Sequence, residues 1–184
     1  MAPAGPAYRA GMHTQITEYT SDRFSIPVAG RYADIVDAFE QAVPSLDADD
    51  LVRTVRKHSD WDTVETWTIR HAPHGFLRYW RNDPTALMAI SGNTASCVSY
   101  LMGNHVVAER MFRRDPRVMG LAPLRVTISQ RMGEPVLFTS DVPSASFASF
   151  GDDHITAVAH GLDRKLAELL VLLGIAVPEV LAAL

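Results

Sequence analysis

The stretch PLRVTISQRMGEPVLFTS, residues 123–140, decides the fold class. Apolar side chains alternate with polar ones on both sides of Met132-Gly133-Glu134, and this is the two-residue period of a half-buried strand. We predict strands over residues 123–130 and 135–140 that form an antiparallel hairpin. A hairpin needs further strands or a packed helix to be stable, so we expect an α+β fold, an antiparallel sheet backed by helices.

Other segments have the same strand pattern. Residues 15–28 and 76–81 alternate aromatic or aliphatic side chains with polar ones. Residues 15–28 are predicted to be either a hairpin or one strand with a poorly ordered approach. Asn82-Asp83-Pro84 is a turn sequence, so residues 85–90 are predicted to return as the antiparallel partner of residues 76–81.

Helices are predicted where apolar residues recur at helical spacing and a capping residue precedes them. They are residues 32–43, a helix from Asp47 to about His58, a helix capped by Asp60, residues 94–102, residues 105–114 capped by Asn104, and a long helix from Asp152 or Asp153 to Leu173. Trp61 and Trp67 lie on the helix after Asp60, and we expect both to be buried.

The length of 184 residues fits one domain. Residues 1–13 are predicted to be a flexible leader, because small residues and prolines bury little apolar surface. Residues 14–174 are predicted to form a single α+β domain, and residues 175–184 an apolar tail. Residues 169–173 are all apolar and surround their helix, so we expect this end of the chain to contribute to a homodimer contact. The alternative is that the tail folds back and completes its own core.

The composition excludes several classes of protein. Hydrophobic residues make up 47% and charged residues 21%, which is typical of globular chains. A net charge of −4 gives no basis for a nucleic-acid-binding face, so nucleic acid is not expected as a partner. The sequence contains no apolar run long enough to span a membrane, and no membrane partner is expected. With one cysteine and no secretory signal, we expect a cytoplasmic location.

The sequence identifies no cofactor. The seven histidines form no recognised metal signature, and Pro73 interrupts the close pair His71 and His74, so no metal site is predicted. Glycine-rich nucleotide-binding loops are missing as well, and the cofactor stays unknown.

A set of short motifs occurs in consistent order across residues 32–173. They are Gly103-Asn104, Ala108-Glu109-Arg110-Met111, Asp115-Pro116, Ala122-Pro123-Leu124-Arg125-Val126, Asp141-Val142-Pro143-Ser144 and Leu162-Asp163-Arg164-Lys165-Leu166. In these motifs the chain resembles the bacterial family called domain of unknown function 302. The resemblance implies a compact α+β fold similar to the TATA-box-binding-protein-like class, and a tendency to dimerise. The family has no defined function, so it supplies no catalytic residue.

His105 departs from the family pattern, which usually has proline after the Gly-Asn pair. Histidine gives up the rigidity of proline at a helix start and gains a group that titrates near neutral pH. Because residues 105 and 109 are four apart on one helix, we expect His105 and Glu109 to touch and to act as the catalytic pair. The alternative is an exposed helical pair of small energetic value.

Four further residues complete the candidate site. We expect Asn104, Arg113, Tyr79 and Trp80 to bind the ligand, with the aromatic strand residues as an apolar wall. Arginines cluster between residues 110 and 125. They favour either an anionic metabolite or a solvated helix face in which they pair with Glu109 and Asp115.

Two functions follow from these residues. The first is a small-molecule-binding enzyme or accessory protein of bacterial metabolism, with a pocket between the sheet and the helix that starts at Asn104. The second is a non-catalytic, self-associating or partner-binding sensor module. The sequence does not decide whether the protein is an enzyme.

Overall fold

A computed structural model describes residues 14–182 of the chain, so the predicted leader, residues 1–13, lies outside the described residues. Its centre is a five-stranded antiparallel sheet with the strand order β1-β5-β4-β3-β2. The strands are β1 (Arg23–Val28), β2 (Leu77–Asn82), β3 (Ser96–Gly103), β4 (Leu124–Gln130) and β5 (Val136–Asp141). The predicted α+β class is confirmed.

The predicted hairpin is confirmed as β4 and β5. Ile128 pairs with Phe138 across it, and both side chains are fully buried. Gly133 at the turn has a φ of +79°, a backbone conformation that glycine adopts without strain. The sequence at the turn therefore fixes the register that places the apolar face of both strands in the core.

The helices are α1 (Tyr32–Ala42), α2 (Ala48–His58), α3 (Trp61–His71), α4 (Thr85–Ala89), α5 (His105–Phe112), α6 (Pro143–Phe147), α7 (Asp153–Leu172) and α8 (Glu179–Ala182). Two short 3-10 helices follow α5 and α6, over Pro116–Gly120 and Ala148–Phe150. The predicted caps Asp47, Asp60, Asn104 and Asp152 all accept hydrogen bonds from the first turns of their helices.

The helices α1, α5 and α7 contribute to one core against a single face of the sheet. The Phe39 ring of α1 contacts the rings of Tyr100 and Phe138 in tilted arrangements, with ring centroids 4.7 Å and 6.1 Å away. The long helix α7 contributes the predicted apolar line, since Ile155, Val158, Leu162, Leu166 and Leu169 are all buried.

The other face of the sheet is open and carries a row of hydroxyl side chains. Ser25, Thr139, Thr127 and Ser99 stand side by side on β1, β5, β4 and β3. Their oxygens are bonded in two pairs, Ser25 to Thr139 at 2.8 Å and Ser99 to Thr127 at 3.2 Å.

Two segments have a different secondary structure from the one predicted. Residues 85–90 are not a strand, since Thr85–Ala89 is helix α4, and residues 94–102 are not a helix, since Ser96–Gly103 is strand β3. Val98, Leu101 and Met102 fit helical spacing, but the buried side chains are Val98, Tyr100 and Met102, which follow the strand period. Strand β3 is the true partner of β2. The Thr85 hydroxyl holds α4 against β3 by bonding both backbone groups of Cys97.

Of the two alternatives for residues 15–28, the single strand is the one observed, since β1 is limited to Arg23–Val28 and Ile16 before it is 82% exposed. The expectation that both tryptophans of α3 are buried was wrong in part. Trp61 is 39% exposed, and its indole N–H donates to Glu65 on the solvent side. Trp67 is buried as predicted.

The C-terminal segment folds back on the core in part. Ile175 and Leu181 are buried, whereas Val171 and Leu172 at the end of α7 are 66% and 52% exposed. In the described part of the chain, none of the helices is both long and apolar enough to cross a membrane.

The two tryptophans of α3 make a matched pair for a stability test. Trp67 is 4% exposed, and its N–H donates to Asp50 Oδ2 at 2.7 Å. We expect Trp67→Ala to lower the free energy of unfolding by about 3–5 kcal/mol, because a large buried ring is lost. Trp61→Ala serves as the control and should cost less than about 1 kcal/mol. Urea unfolding monitored by far-ultraviolet circular dichroism measures both, and equal losses would contradict this assignment of burial.

Candidate functional site

A largely apolar cavity of about 170 Å³ lies where β3 ends and α5 begins. Three polar residues line it, Tyr79, Asn104 and His105. The remaining walls come from β3, α5, the first 3-10 helix, the start of β4, α6 and α7, and include Met102, Val107, Met111, Met119, Pro123, Phe147 and Leu162. We call this space the His105 cavity. Met119 is 44% exposed, which places it at the mouth.

Asn104 fixes the start of α5. Its Oδ1 accepts from the backbone N–H groups of Val106 and Val107 at 2.9 Å and 3.3 Å, and its Nδ2 donates to Gly75 O at 3.0 Å. These bonds use the amide for capping and for holding the loop before β2. Asn104 therefore acts mainly by positioning His105, the first residue of the helix.

His105 and Tyr79 form a polar pair at the edge of the cavity. The Tyr79 hydroxyl lies 3.4 Å from His105 Nδ1, and the ring centroids are 5.1 Å apart. Burial lowers the pKa of His105 and raises the pKa of Tyr79. Both side chains are therefore neutral at neutral pH, and the pair offers a hydrogen-bond donor and an acceptor without a net charge.

An irregularity in β2 aims Tyr79 at the cavity. Arg78 pairs with Met102, but the next paired residue is Trp80, opposite Leu101, so Tyr79 is the extra residue of a bulge. The bulge turns Trp80 to the open face, where it is 48% exposed. The aromatic wall predicted from Tyr79 and Trp80 therefore contains only Tyr79.

Gly103 allows the Tyr79 ring to lie against the end of β3. A Cβ at this position would stand 3.0 Å from Tyr79 Cε2 and 3.5 Å from Pro123 Cβ. Any side chain here would require the Tyr79 ring to shift. The Gly-Asn pair in the sequence marked this site, although its use for ring packing could not be deduced from sequence.

The structure does not bring Glu109 to His105. Both carboxylate oxygens of Glu109 accept from Arg113, with Nε to Oε1 at 2.9 Å. Neither Glu109 nor Arg113 lines the His105 cavity. Other arginines of the cluster are paired too, Arg114 with Asp152 at 3.0 Å and Arg117 with Asp115 at 2.6 Å. For Arg113, Arg114 and Arg117 these contacts fit the interpretation of a solvated face with paired charges, whereas Arg125 lies on β4 and takes no part in them.

Sequence reasoning missed Met119, Phe147 and Leu162. They come from three separate elements, and no local pattern connects them to Asn104. Within residues 14–182, no group of three or more His, Cys, Asp or Glu side chains is arranged to hold a metal ion.

The neutral state of His105 predicts a pH dependence of stability. The unfolded chain takes up a proton near the ordinary pKa of 6.5, whereas the folded chain resists it. Stability should therefore fall as the pH drops below about 6.5, and His105→Gln should reduce that fall. For a fully buried group, the free energy of unfolding changes by at most about 1.4 kcal/mol per pH unit. His105 is half-buried, so solvent screening makes its contribution smaller.

Urea unfolding at pH 7.5 and 5.5 measures this effect. His58→Gln is the control, because His58 is exposed at the end of α2 and its loss should leave the contribution of His105 in place. An identical loss of stability on acidification in the His105→Gln variant and the unaltered chain would disprove the assignment.

Comparison with known proteins agrees with the fold. The family model "Domain of unknown function DUF302" matches residues 52–173. The crystal structure of an uncharacterized conserved DUF302 protein from Bacillus stearothermophilus is similar with a TM-score of 0.58 at 14% identity, over 82% of this chain and 96% of that one. Among curated proteins, none matches the sequence. The predicted resemblance is confirmed, and the chain belongs to the DUF302 family.

Proposed function

We propose that this protein binds a small, mainly apolar molecule in the His105 cavity. The proposal rests on one observation, an apolar cavity of about 170 Å³ with a neutral polar pair at its edge. A dry cavity of about 150 Å³ is enough for a molecule of the size of benzene. The ligand class is therefore one ring, or a chain of similar volume, with a single polar group.

The lining supports a neutral ligand over a charged one. His105 and Tyr79 are uncharged at neutral pH, and among residues 14–182 no arginine or lysine lines the cavity. Burying an anion without a partner is costly, whereas a hydroxyl or carbonyl can bond to the His105–Tyr79 pair. The thioethers of Met102, Met111 and Met119 adapt to ligands of different outline.

His105 is also the residue that we propose for any proton transfer. A neutral imidazole on a helix start is a base at neutral pH, and its contact with Tyr79 orients the ring. In this proposal Glu109 stabilises α5 through Arg113 and takes no part in the chemistry. The protein is then an enzyme or an accessory protein of bacterial metabolism according to whether its ligand reacts at His105.

Phenol is a suitable probe, because it combines one ring with one hydroxyl. We expect weak binding, with a Kd on the order of 1 mM, measured by chemical-shift changes in amide NMR spectra. Ala108→Leu should weaken binding at least about tenfold by filling the cavity. His105→Phe should weaken phenol binding and spare benzene binding, because only the polar partner is lost.

Ala89→Leu is the matched control, since Ala89 is exposed on α4 and should not affect binding. Phenol shifts that persist unchanged in Ala108→Leu would refute the cavity as the binding site. Mass spectrometry of the purified protein under native conditions would then identify any ligand that it retains.

We propose as a second function that the protein assembles as a homodimer through the end of α7. Exposed Val171 and Leu172 favour this proposal, because adjacent apolar side chains in water mark interaction surfaces. Deleting residues 175–184 would also remove buried Ile175 and Leu181, so substitution is the cleaner test.

We expect the unaltered chain to be dimeric at micromolar concentration by light scattering. Joint replacement of Val171 and Leu172 by Asp should yield monomers, because two desolvated carboxylates oppose association. Ile69→Asp, on the exposed side of α3, should leave the dimer intact. A monomeric unaltered chain would rule out the dimer.

A further inference from the structure

A second, larger cavity of about 600 Å³ lies at the end of the sheet where β1 begins and β5 ends. We call it the end cleft. One side is the segment before β1, with Tyr19 and Ser21, and another side is the start of α6. Two bonds hold these sides together, Ser21 Oγ to Ser146 Oγ at 2.7 Å and Val142 N–H to Asp22 O at 2.8 Å.

Of the residues that the structure describes, three charged ones line the end cleft, Arg23, Asp141 and Arg125. They stand on adjacent strands of the open face, since Arg23 pairs with Asp141 and the Val126–Ser140 pairing sets Arg125 beside Asp141. Arg23 Nε donates to Asp141 Oδ1 at 2.7 Å. Arg125 has no ion-pair partner in the part of the chain that the structure describes.

The cleft therefore has one positive charge in excess, on a protein whose net charge is −4. The net negative charge of the protein does not attract anions. Attraction of an anion to the cleft therefore depends on these three side chains. A planar guanidinium without a carboxylate partner is suited to bind a carboxylate with two parallel hydrogen bonds.

Apolar residues beside the charges define the rest of the ligand. Leu101 of β3, together with Leu121 and Pro123 before β4, lines the same cleft. A volume of several hundred Å³ is typical of metabolite sites. A single excess charge matches a monoanion better than a phosphate dianion, which needs more donors.

We propose that the end cleft binds a small organic carboxylate. Its carboxylate pairs with Arg125, and its apolar body lies against Leu101 and Pro123. Asp141 weakens the site by neutralising part of the positive charge and holds Arg23 in place. This site is distinct from the His105 cavity, because the three charged residues line the cleft and not that cavity, although Ala122, Pro123, Leu124 and Phe147 line both spaces.

Benzoate is the probe, and amide NMR titration measures its affinity. Arg125→Gln should weaken benzoate binding at least about tenfold, because the charged partner is lost. Asp141→Asn should tighten it severalfold, because the excess charge rises while the side chain keeps its shape. Benzamide, which is neutral and of similar shape, should bind at least about tenfold more weakly than benzoate.

Arg110→Gln is the matched control, since Arg110 is an exposed arginine of α5 outside the cleft and should leave the affinity unchanged. Benzoate binding that survives in Ala108→Leu supports a site separate from the His105 cavity. Unchanged affinity in Arg125→Gln, unchanged or weaker affinity in Asp141→Asn, or equal binding of benzamide would each overturn the proposal.

Discussion

The buried carboxylate of Asp163 holds together the two elements that the rest of the structure depends on. Its side chain is fully buried on α7, and Oδ1 accepts from the backbone N–H of Ser144 at the start of α6 at 3.0 Å. The second oxygen lies 3.4 Å from His160 Nδ1. Because a buried carboxyl group without a partner is costly, the bond from Ser144 to Asp163 favours the packing of α6 against α7 at this point.

This contact explains why two distant motifs occur together. Asp141-Val142-Pro143-Ser144 ends β5 and begins α6, and Leu162-Asp163-Arg164-Lys165-Leu166 lies in the middle of α7. The bond from Ser144 to Asp163 fixes the corner between them. Phe147 and Leu162, which flank the bond on the two helices, are walls of the His105 cavity. The shape of the proposed ligand site is thus set by a residue that does not touch it.

Local signals in the sequence predicted much of the fold, while contacts between distant segments could not be predicted. The caps Asp47, Asp60, Asn104 and Asp152 act within three residues of their own helices, so sequence was sufficient for them. Strand β3 was assigned as a helix because Val98, Leu101 and Met102 fit helical spacing, while the strand period of Val98, Tyr100 and Met102 is buried by neighbours far along the chain. At the site, Asn104, His105 and Tyr79 were found from sequence. The bulge that separates Tyr79 from Trp80 had no local signal.

The hydroxyl row makes the open face of the sheet compatible with water. Ser25, Thr139, Thr127 and Ser99 satisfy one another in pairs, so the middle of this face presents hydroxyl groups to water instead of apolar side chains. Pro27 in β1 removes a backbone donor from the outer edge, which discourages the addition of a foreign strand. One face of this sheet can therefore meet water, with an edge strand that resists pairing with another chain.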